Sequence, residues 1–342
     1  MGADRTEPAT SPWPFGGIRR APVASRPVID DRAQALAHVV RGGAVESVHR
    51  GHLVALDGGG AVVLHRGDPD ATVFARSALK PVQAVAMLRT GLDLDGELLA
   101  LACASHSGEP RHVDGVRRIL AGAGRTEDDL ANTPAFPLGE DVGATWRADG
   151  FGPSSLAQNC SGKHAAMIAT CVGAGWPVDG YRDPAHPLQE AIRVTVQELT
   201  GDEAEHVTVD GCGAPLYSCT LTGLAHAFAR LVLAAPGTPE HRVAAAMSAH
   251  PEWVGGLGRD VSALMAGVPG LVAKDGAEGV FAAALPDGGA VAVKVLDGAA
   301  RPLPVVVSEA LRALGADVPE ALGRRPVLGG GQPVGEVRAV LR

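Results

Sequence analysis

The pattern of apolar and polar residues divides the chain into strand-rich ends and a helical middle. Near the start, strands are predicted at 45–56 and 61–65, because the Asp-Gly-Gly-Gly segment between them is typical of a hairpin turn. Towards the end, a second hairpin is predicted from 279–284 and 290–296, which flank a Pro-Asp-Gly-Gly turn. Both ends of the chain therefore supply strands.

Between the hairpins, apolar residues recur with the spacing of an α-helix, and Gly and Pro separate one segment from the next. The predicted helices lie near 78–90, 95–103, 111–123, 162–173, 186–200, 216–233, 239–249 and, after the second hairpin, 303–315. Glycine-rich residues 329–331 indicate a loop or a weak final strand. This order predicts an α+β fold, in which an antiparallel sheet from N- and C-terminal strands packs on helices beside a mostly helical lobe.

These elements predict a single folded unit at 29–342 with two lobes. The sheet lobe is expected at about 40–75 and 265–342, and the helical lobe is expected at about 76–264. The Pro-rich residues 1–28 are expected to form a flexible tail. The sequence contains no internal repeat that would divide the unit further.

Charge and composition narrow the class of partner. The 342-residue chain has a formal charge of -8 and no basic tract, so nucleic acid and anionic membranes are not the expected partners, and a small molecule is. It contains no apolar stretch of about 18 residues and no secretory signal pattern, which predicts a cytoplasmic protein. Its five cysteines lack the dense spacing of a disulfide scaffold, so reduced thiols are expected.

Lysine is rare in this chain, which contains four lysines and 26 arginines. Only lysine can lose its proton near neutral pH and act as a base or a metal ligand, so each lysine is a candidate for work that arginine cannot do. The four are Lys80, Lys163, Lys274 and Lys294. Three of them lie in polar motifs, whereas Lys294 lies inside a predicted strand, at a position expected to face solvent or a sheet edge.

The first motif, Arg-Ser-Ala-Leu-Lys-Pro at 76–81, places Ser77 three residues before Lys80. If a helix begins at Ser77, both side chains share one face, and a neutral Lys80 could take the serine proton. The helix N-terminus would favour negative charge that develops near the serine. On local grounds an N-cap serine followed by a surface lysine explains the motif equally well.

The second motif, Ala-Ser-His-Ser-Gly-Glu at 104–109, follows a predicted apolar helix. Its two hydroxyls and the imidazole of His106 are typical of a loop directed into a pocket. A serine turn followed by a helix cap is the simpler local interpretation.

Two further motifs bring thiols together with other ligand atoms. Asn-Cys-Ser-Gly-Lys-His at 159–164 opens a predicted helix, and Asp-Gly-Cys-Gly-Ala-Pro at 210–215 forms a turn after a strand. Two cysteines with nitrogen or oxygen donors could hold zinc tetrahedrally, yet ligands this far apart form no zinc-finger signature. Two buried cysteines beside a polar cap are an equally good interpretation. Finally, Lys274 precedes the second hairpin, where the edge of the sheet could present it to a cleft as a second base.

Taken in order, these motifs and the Lys-Asp-Gly segment at 274–276 resemble the Rhizobium-type L-asparaginases, over about residues 40–320. The resemblance implies a two-lobed fold like that of serine β-lactamases and serine-type glutaminases, and a homodimer. It also implies an L-asparaginase that converts L-asparagine to aspartate and ammonia. The chain departs from the family pattern at its two ends, outside the motifs.

Residue by residue, the resemblance implies two Ser-Lys pairs, Ser77 with Lys80 and Ser105 with Lys274. Attack by one of the two serines on the side-chain amide would release ammonia, and water would then release aspartate. Two adjacent lysines would lower each other's proton affinity, as this chemistry requires.

The resemblance also implies a zinc site formed by Cys160, Lys163 and Cys212, with a structural or substrate-orienting role. The side chains implied to line the substrate pocket are Arg76, His106, His164 and Asp210. A glutaminase, a β-lactam or peptide amidase, a sensor that acylates slowly and a soft-metal storage protein are the alternatives that the sequence leaves open.

Overall fold

Residues 32–341 are described by a computed structural model, so the tail expected at 1–28 lies outside the described residues. The strands are β1 (Gln34–Arg41), β2 (Ala44–Leu56), β3 (Val62–Arg66), β4 (Thr72–Phe74), β5 (Val207–Val209), β6 (Pro215–Thr220), β7 (Val272–Gly276), β8 (Val280–Ala284), β9 (Ala290–Val295), β10 (Pro326–Gly329) and β11 (Gln332–Ala339). The α-helices are α1 (Lys80–Thr90), α2 (Gly96–Ala102), α3 (Pro110–Gly122), α4 (Glu140–Ala148), α5 (Ser161–Ala174), α6 (Pro187–Thr200), α7 (Leu221–Leu233), α8 (Pro239–Ala249), α9 (Pro251–Val254), α10 (Asp260–Gly267) and α11 (Leu303–Ala313).

The main sheet joins the two ends of the fold. Its strand order is β10-β11-β1-β2-β9-β8-β7, β3 also pairs with β2, and every neighbouring pair is antiparallel. Both predicted hairpins are present, as β2–β3 and β8–β9. The predicted α+β class, with a sheet assembled from N- and C-terminal strands, is confirmed.

The centre of the sheet is also the centre of the hydrophobic core. Every residue of β8 and β9 is buried, so helices cover both faces of the sheet there, and α7 and α11 both pack against it. Burying one valine side chain of β9, such as Val291 or Val293, contributes about 1.5–3 kcal/mol. Within 32–341, no helix is long and apolar enough to cross a membrane.

The prediction that Lys294 faces solvent or a sheet edge is wrong. Strand β9 lies between β2 and β8, so Lys294 is buried, and its ammonium donates to the carbonyl oxygens of Glu278 at 2.7 Å and Val295 at 2.5 Å. These two carbonyls satisfy a charge that burial would otherwise disfavour.

Several other elements also differ from the predictions. Residues 216–220 form strand β6 rather than the start of a helix, and α7 begins only after Thr220, whose hydroxyl accepts a hydrogen bond from the Gly223 amide. Strand β1 was not predicted, and the glycine-rich C-terminal region forms two strands, with β11 paired to β1 from Ala37↔Ala339 onwards. Short helices α4, α9 and α10 were also not predicted.

A second, three-stranded sheet with the order β4-β6-β5 positions two parts of the candidate site. Strand β4 leads into Arg76, and β5 leads into Asp210. Because both strands flank β6, the residues that follow them come together although 134 positions separate them.

Candidate active site

Arg76 and Asp210 form an ion pair at the end of the small sheet. Arg76 Nε lies 2.8 Å from Asp210 Oδ1, and 24% and 13% of the two side chains are exposed. Burial alone would raise the pKa of Asp210, but the charges of Lys163 and Arg76 lower it below its ordinary value. Arg76 has a φ of +53°, a conformation that non-glycine residues rarely adopt and that tends to occur at functional sites.

Ser77 and Lys80 lie in one helical turn. Arg76–Leu79 form a 3-10 helix, the Lys80 amide donates to the Ser77 carbonyl oxygen, and α1 begins at Lys80. Residues three apart are eclipsed in a 3-10 turn, so the two side chains leave it on one side. Lys80 is buried, whereas the hydroxyl of Ser77 makes no side-chain hydrogen bond to any described residue.

The ammonium of Lys80 is directed towards the second motif. Its Nζ lies 3.1 Å from Ser105 Oγ and 3.2 Å from Cys160 Sγ, and it also contacts the carbonyl oxygen of Ala104. The hydrogen bonds therefore join Lys80 to Ser105, a pairing that differs from the one implied by the resemblance. Lys80 also links Ser105 to the thiol of Cys160.

The loop after α2 holds Ser105 and His106 in a buried position. The Ser105 amide donates to Val254 O at 3.0 Å and the His106 amide donates to Asn159 O at 3.1 Å. The Nδ1 atom of His106 accepts from the Gly108 amide at 3.1 Å, so Nε2 carries the proton and donates to Ser161 Oγ at 2.9 Å. Burial lowers the pKa of His106 well below its ordinary value, and the ring is therefore neutral.

Lys274, the third lysine of the motifs, lies on edge strand β7. The side chain is fully buried, and its Nζ donates to the carbonyl oxygen of Asp275 at 2.7 Å and to the Asp275 carboxylate. Burial lowers the pKa of Lys274 to about 8, Asp275 opposes this shift, and the charge of Lys80 adds to it. The expectation that the sheet edge presents Lys274 agrees with the position of β7 at the end of the strand order.

Two thiols and an amine converge at the start of α5. Lys163 Nζ lies 3.3 Å from Cys212 Sγ, and Cys160 and Cys212 belong to one buried cluster. The neighbouring Cys212 and burial raise the pKa of Cys160 to about 12, whereas Cys160 and Lys163 lower the pKa of Cys212 well below its ordinary value. Burial disfavours the charge of Lys163, but the charges of Cys212 and Cys160 outweigh it and raise its pKa.

His164 lies next to Lys163 and is also buried. Its Nδ1 atom lies 2.8 Å from the Tyr181 hydroxyl, whereas Nε2 is buried without a hydrogen-bond partner among the residues described. Burial is the main cause that lowers the pKa of His164 well below its ordinary value, so the ring is neutral. This buried ring nitrogen, on the residue that follows Lys163, is available to a ligand.

The predicted site residues fall into contacting groups. Lys80 touches Ser105 and Cys160, and the groups that hold the others are Lys163 with Cys212, Arg76 with Asp210, Lys274 with Asp275, His106 with Ser161, and His164 with Tyr181. Ser77 has no side-chain partner of this kind.

Sequence reasoning did not single out Asp275, Arg259 or Tyr181. Asp275 belongs to the quoted Lys-Asp-Gly segment, so its adjacency to Lys274 was a usable signal. Tyr181 is one of only two tyrosines in the chain. Arg259 is one of 26 arginines, and nothing in the sequence distinguishes it from the others.

The arrangement suits acyl transfer. A hydroxyl within hydrogen-bond reach of a buried amine is the geometry of an activated serine nucleophile. A second amine whose pKa is about 8 can exchange protons near neutral pH. The ion pair of Arg76 and Asp210 offers one positive and one negative group, which can bind the opposite charges of a small zwitterion.

Comparison with known proteins gave one family and several structures. A family model described as L-asparaginase II matches residues 37–339. No curated protein matches the chain. Among solved structures, "EstCE1, a hydrolase with promiscuous acyltransferase activity" is 13% identical with a TM-score of 0.37, covering 81% of this chain and 93% of that one. The structure titled "Crystal Structure Analysis of Mglu in its tris and glutamate form" is 18% identical with a TM-score of 0.35, covering 82% of this chain and 63% of that one, less than two thirds of its length.

Proposed function

Because the chain belongs to the L-asparaginase II family and is therefore a hydrolase of the L-asparaginase type, we propose that Ser105 and Lys80 carry out its reaction on L-asparagine. The observation that supports this assignment is the distance of 3.1 Å between Ser105 Oγ and Lys80 Nζ. Here a serine hydroxyl is hydrogen-bonded to a lysine amine. Both side chains are buried, and in such a low-dielectric environment the amine can activate the hydroxyl as a nucleophile.

In the first step, Lys80 takes the proton of Ser105, and Oγ forms a bond to the side-chain amide carbon of asparagine. The C–N bond then breaks, and the leaving nitrogen takes a proton from Lys80 and departs as ammonia. In the second step, Lys274 takes a proton from the attacking water, whose oxygen bonds to the acyl carbon; the bond between that carbon and Ser105 Oγ then breaks, the proton passes from Lys274 back to Ser105 Oγ, and aspartate leaves. Ser77, whose hydroxyl has no side-chain partner among the described residues, donates to the bound substrate.

Asparagine carries an α-carboxylate and an α-ammonium group, and Arg76 and Asp210 are matched to them. The guanidinium of Arg76 binds the carboxylate, and the Asp210 carboxylate, whose pKa is lowered, binds the ammonium. His106 and His164 are neutral and line the same region, where they serve as hydrogen-bonding groups rather than as charges.

The residues around Cys212 fit a zinc ion by their chemistry. Two thiols of one buried cluster, one of them 3.3 Å from the Lys163 nitrogen, suit a soft, tetrahedral ion, and His164 Nε2, on the residue after Lys163, is buried without a hydrogen-bond partner among the described residues. Over 32–341, no group of three or more His, Cys, Asp or Glu side chains is arranged to hold a metal, so this site depends on Lys163 as a ligand. Bound zinc would orient the substrate and hold Cys160, Lys163 and Cys212 together.

We expect purified wild-type protein to contain zinc. The variants Cys212→Ser and Lys163→Met should contain at least about tenfold less zinc per chain than wild type, because each lacks one ligand. Elemental analysis after dialysis measures the metal per chain. Cys171→Ala, on the same helix α5, is the matched control and should keep the wild-type content. Equal zinc in all four proteins would contradict the site.

Ammonia release from L-asparagine and L-glutamine tests the proposed activity. We expect asparagine to be hydrolysed with a kcat/KM at least about tenfold higher, because one additional methylene in a closed pocket typically costs a factor of 10 or more. Equal turnover of both amides would favour the glutaminase or general amidase alternative. Absence of turnover would favour a binding protein or sensor. The homodimer and the cytoplasmic location implied by the sequence stay predictions.

A further inference from the structure

A glycine-rich loop, residues 254–259, lies over the segment that carries Ser105. The Ser105 amide donates to Val254 O at 3.0 Å, and the Ser107 amide donates to Gly255 O at 2.8 Å. Gly256 has a φ of +123°, and a side chain at that position would lie 2.5 Å from Ser107 Oγ. Only a glycine therefore allows this close approach. The loop ends at Arg259, immediately before α10.

The side chain of Arg259 reaches from this loop to the neighbour of Lys274. Its Nη2 atom lies 2.7 Å from Asp275 Oδ2, while the other carboxylate oxygen, Oδ1, contacts Lys274 Nζ. Its Nη1 atom lies 3.5 Å from the Ser105 carbonyl oxygen. The Asp275 carboxylate is therefore shared by Lys274, which has a role in the proposed reaction, and Arg259, which has none there.

The charged and titratable groups that face Lys274 come from four parts of the fold. They are Asp275 on β7 itself, Lys80 at the start of α1, Cys103 at the end of α2 and Arg259 before α10. Asp275 favours the charged form of Lys274, and the two cations disfavour it. The Cys103 thiol is neutral, because burial raises its pKa to about 12. Arg259 is thus the group outside the proposed catalytic set that offsets Asp275.

We propose that Arg259 is a positioning residue of the reaction: it binds the Asp275 carboxylate, which in turn holds the Lys274 amine, so that this carboxylate is shared between the two cations. Without Arg259, Asp275 and Lys274 would form a simple buried ion pair, in which the ammonium form is favoured. This inference rests on the proposed function for the role of Lys274, but the contacts themselves do not depend on it.

Activity against pH gives the first test. Since Lys274 must be neutral to act as a base, kcat for asparagine in the wild type is expected to rise with pH through about 8. Arg259→Gln removes a positive charge, so the midpoint should move up by roughly one pH unit, and Asp275→Asn removes a negative charge, so it should move down by a similar amount. Arg259→Lys keeps the charge and should restore most of the wild-type profile.

Opposite shifts from two neighbouring residues separate an electrostatic role from a structural one, since damage to the fold would lower activity in both variants without moving the midpoint in opposite directions. The second test needs no turnover. Protein labelled with ¹³C and ¹⁵N in lysine contains only four labelled side chains, and Lys274→Met assigns one signal. The pH midpoint of that signal should move as the activity does.

The two tests distinguish the two ideas. Loss of asparagine turnover in wild type together with the expected NMR shifts would overturn the proposed function and retain the role of Arg259 in setting the proton affinity of Lys274. An unchanged Lys274 midpoint in Arg259→Gln, in protein with wild-type circular dichroism, would overturn the role of Arg259. Should Arg259→Gln fail to fold, Arg259→Met is the second variant, and an unchanged midpoint there would overturn the role in the same way.

Discussion

Replacing Ser105 with alanine is expected to lower kcat for asparagine by about a thousandfold or more, because the variant lacks the nucleophile that Lys80 activates. The expectation follows from the distance of 3.1 Å between Ser105 Oγ and Lys80 Nζ. Ammonia release under saturating asparagine measures it. Because the alanine is smaller than the serine it replaces, the surrounding backbone hydrogen bonds of Ser105 to Val254 are retained.

Ser107→Ala provides a matched control in the same loop. Its hydroxyl donates to Gly255 O at 2.9 Å and has no contact with a lysine amine, so the change should cost about 1 kcal/mol of stability and leave kcat within a few fold. Ser77→Ala is the informative comparison. If Ser77→Ala abolished turnover while Ser105→Ala retained it, the nucleophile would be Ser77, and the contact between Lys80 and Ser105 would have another purpose.

The second large effect is expected at Gly162, the second residue of α5. A side chain there would place Cβ 2.4 Å from the Leu101 carbonyl oxygen and 2.7 Å from Leu101 Cγ, so Gly162→Ala forces α5 away from α2. Helix propensity alone would favour alanine by about 1 kcal/mol. The overlap is with the backbone, which cannot move aside cheaply, and overpacking of this kind typically costs about 1–3 kcal/mol or more.

We therefore expect Gly162→Ala to be destabilised by roughly 2 kcal/mol in urea unfolding, and to lose activity and zinc because Cys160 and Lys163 flank it. Gly122→Ala is the control, since Gly122 is the last residue of α3 and no atom lies within 4 Å of its Cβ position. That variant should be as stable as wild type or up to about 1 kcal/mol more stable. A stabilised Gly162→Ala would show that propensity outweighs packing here.

Much of the fold could be predicted from local patterns. Both hairpins have strong turn signals, and most predicted helices agree with the structure to within a few residues. Residues 216–220 were misassigned because Leu, Tyr and Cys are apolar and continue the pattern of α7, so that only pairing with β4 and β5 identifies them as a strand. Lys294 was misplaced because strand order, which decides which strand is central, is not written in any local segment.

For the candidate site, the sequence indicated which residues to consider but not which of them are in contact. The rarity of lysine drew attention to Lys80, Lys163 and Lys274, all three of which are buried, and the family resemblance is confirmed by the match over residues 37–339. Which serine each lysine touches could not be predicted, since the contact between Lys80 and Ser105 joins the start of α1 to the loop after α2 across 25 positions. Likewise, Arg259 joins the site only because α10 packs against β7.

The pairing of β1 with β11 has a consequence for how the protein is made. Ala37 and Ala339 are neighbours across the sheet, so the partner of the first strand leaves the ribosome about 300 residues later. At roughly 5–20 residues per second, β1 waits for about 15–60 seconds with one edge unpaired. An open edge of this kind can join with another nascent chain, and such non-local pairing also folds slowly. A chaperone that shields this edge should therefore increase the soluble yield more than any change at the active site.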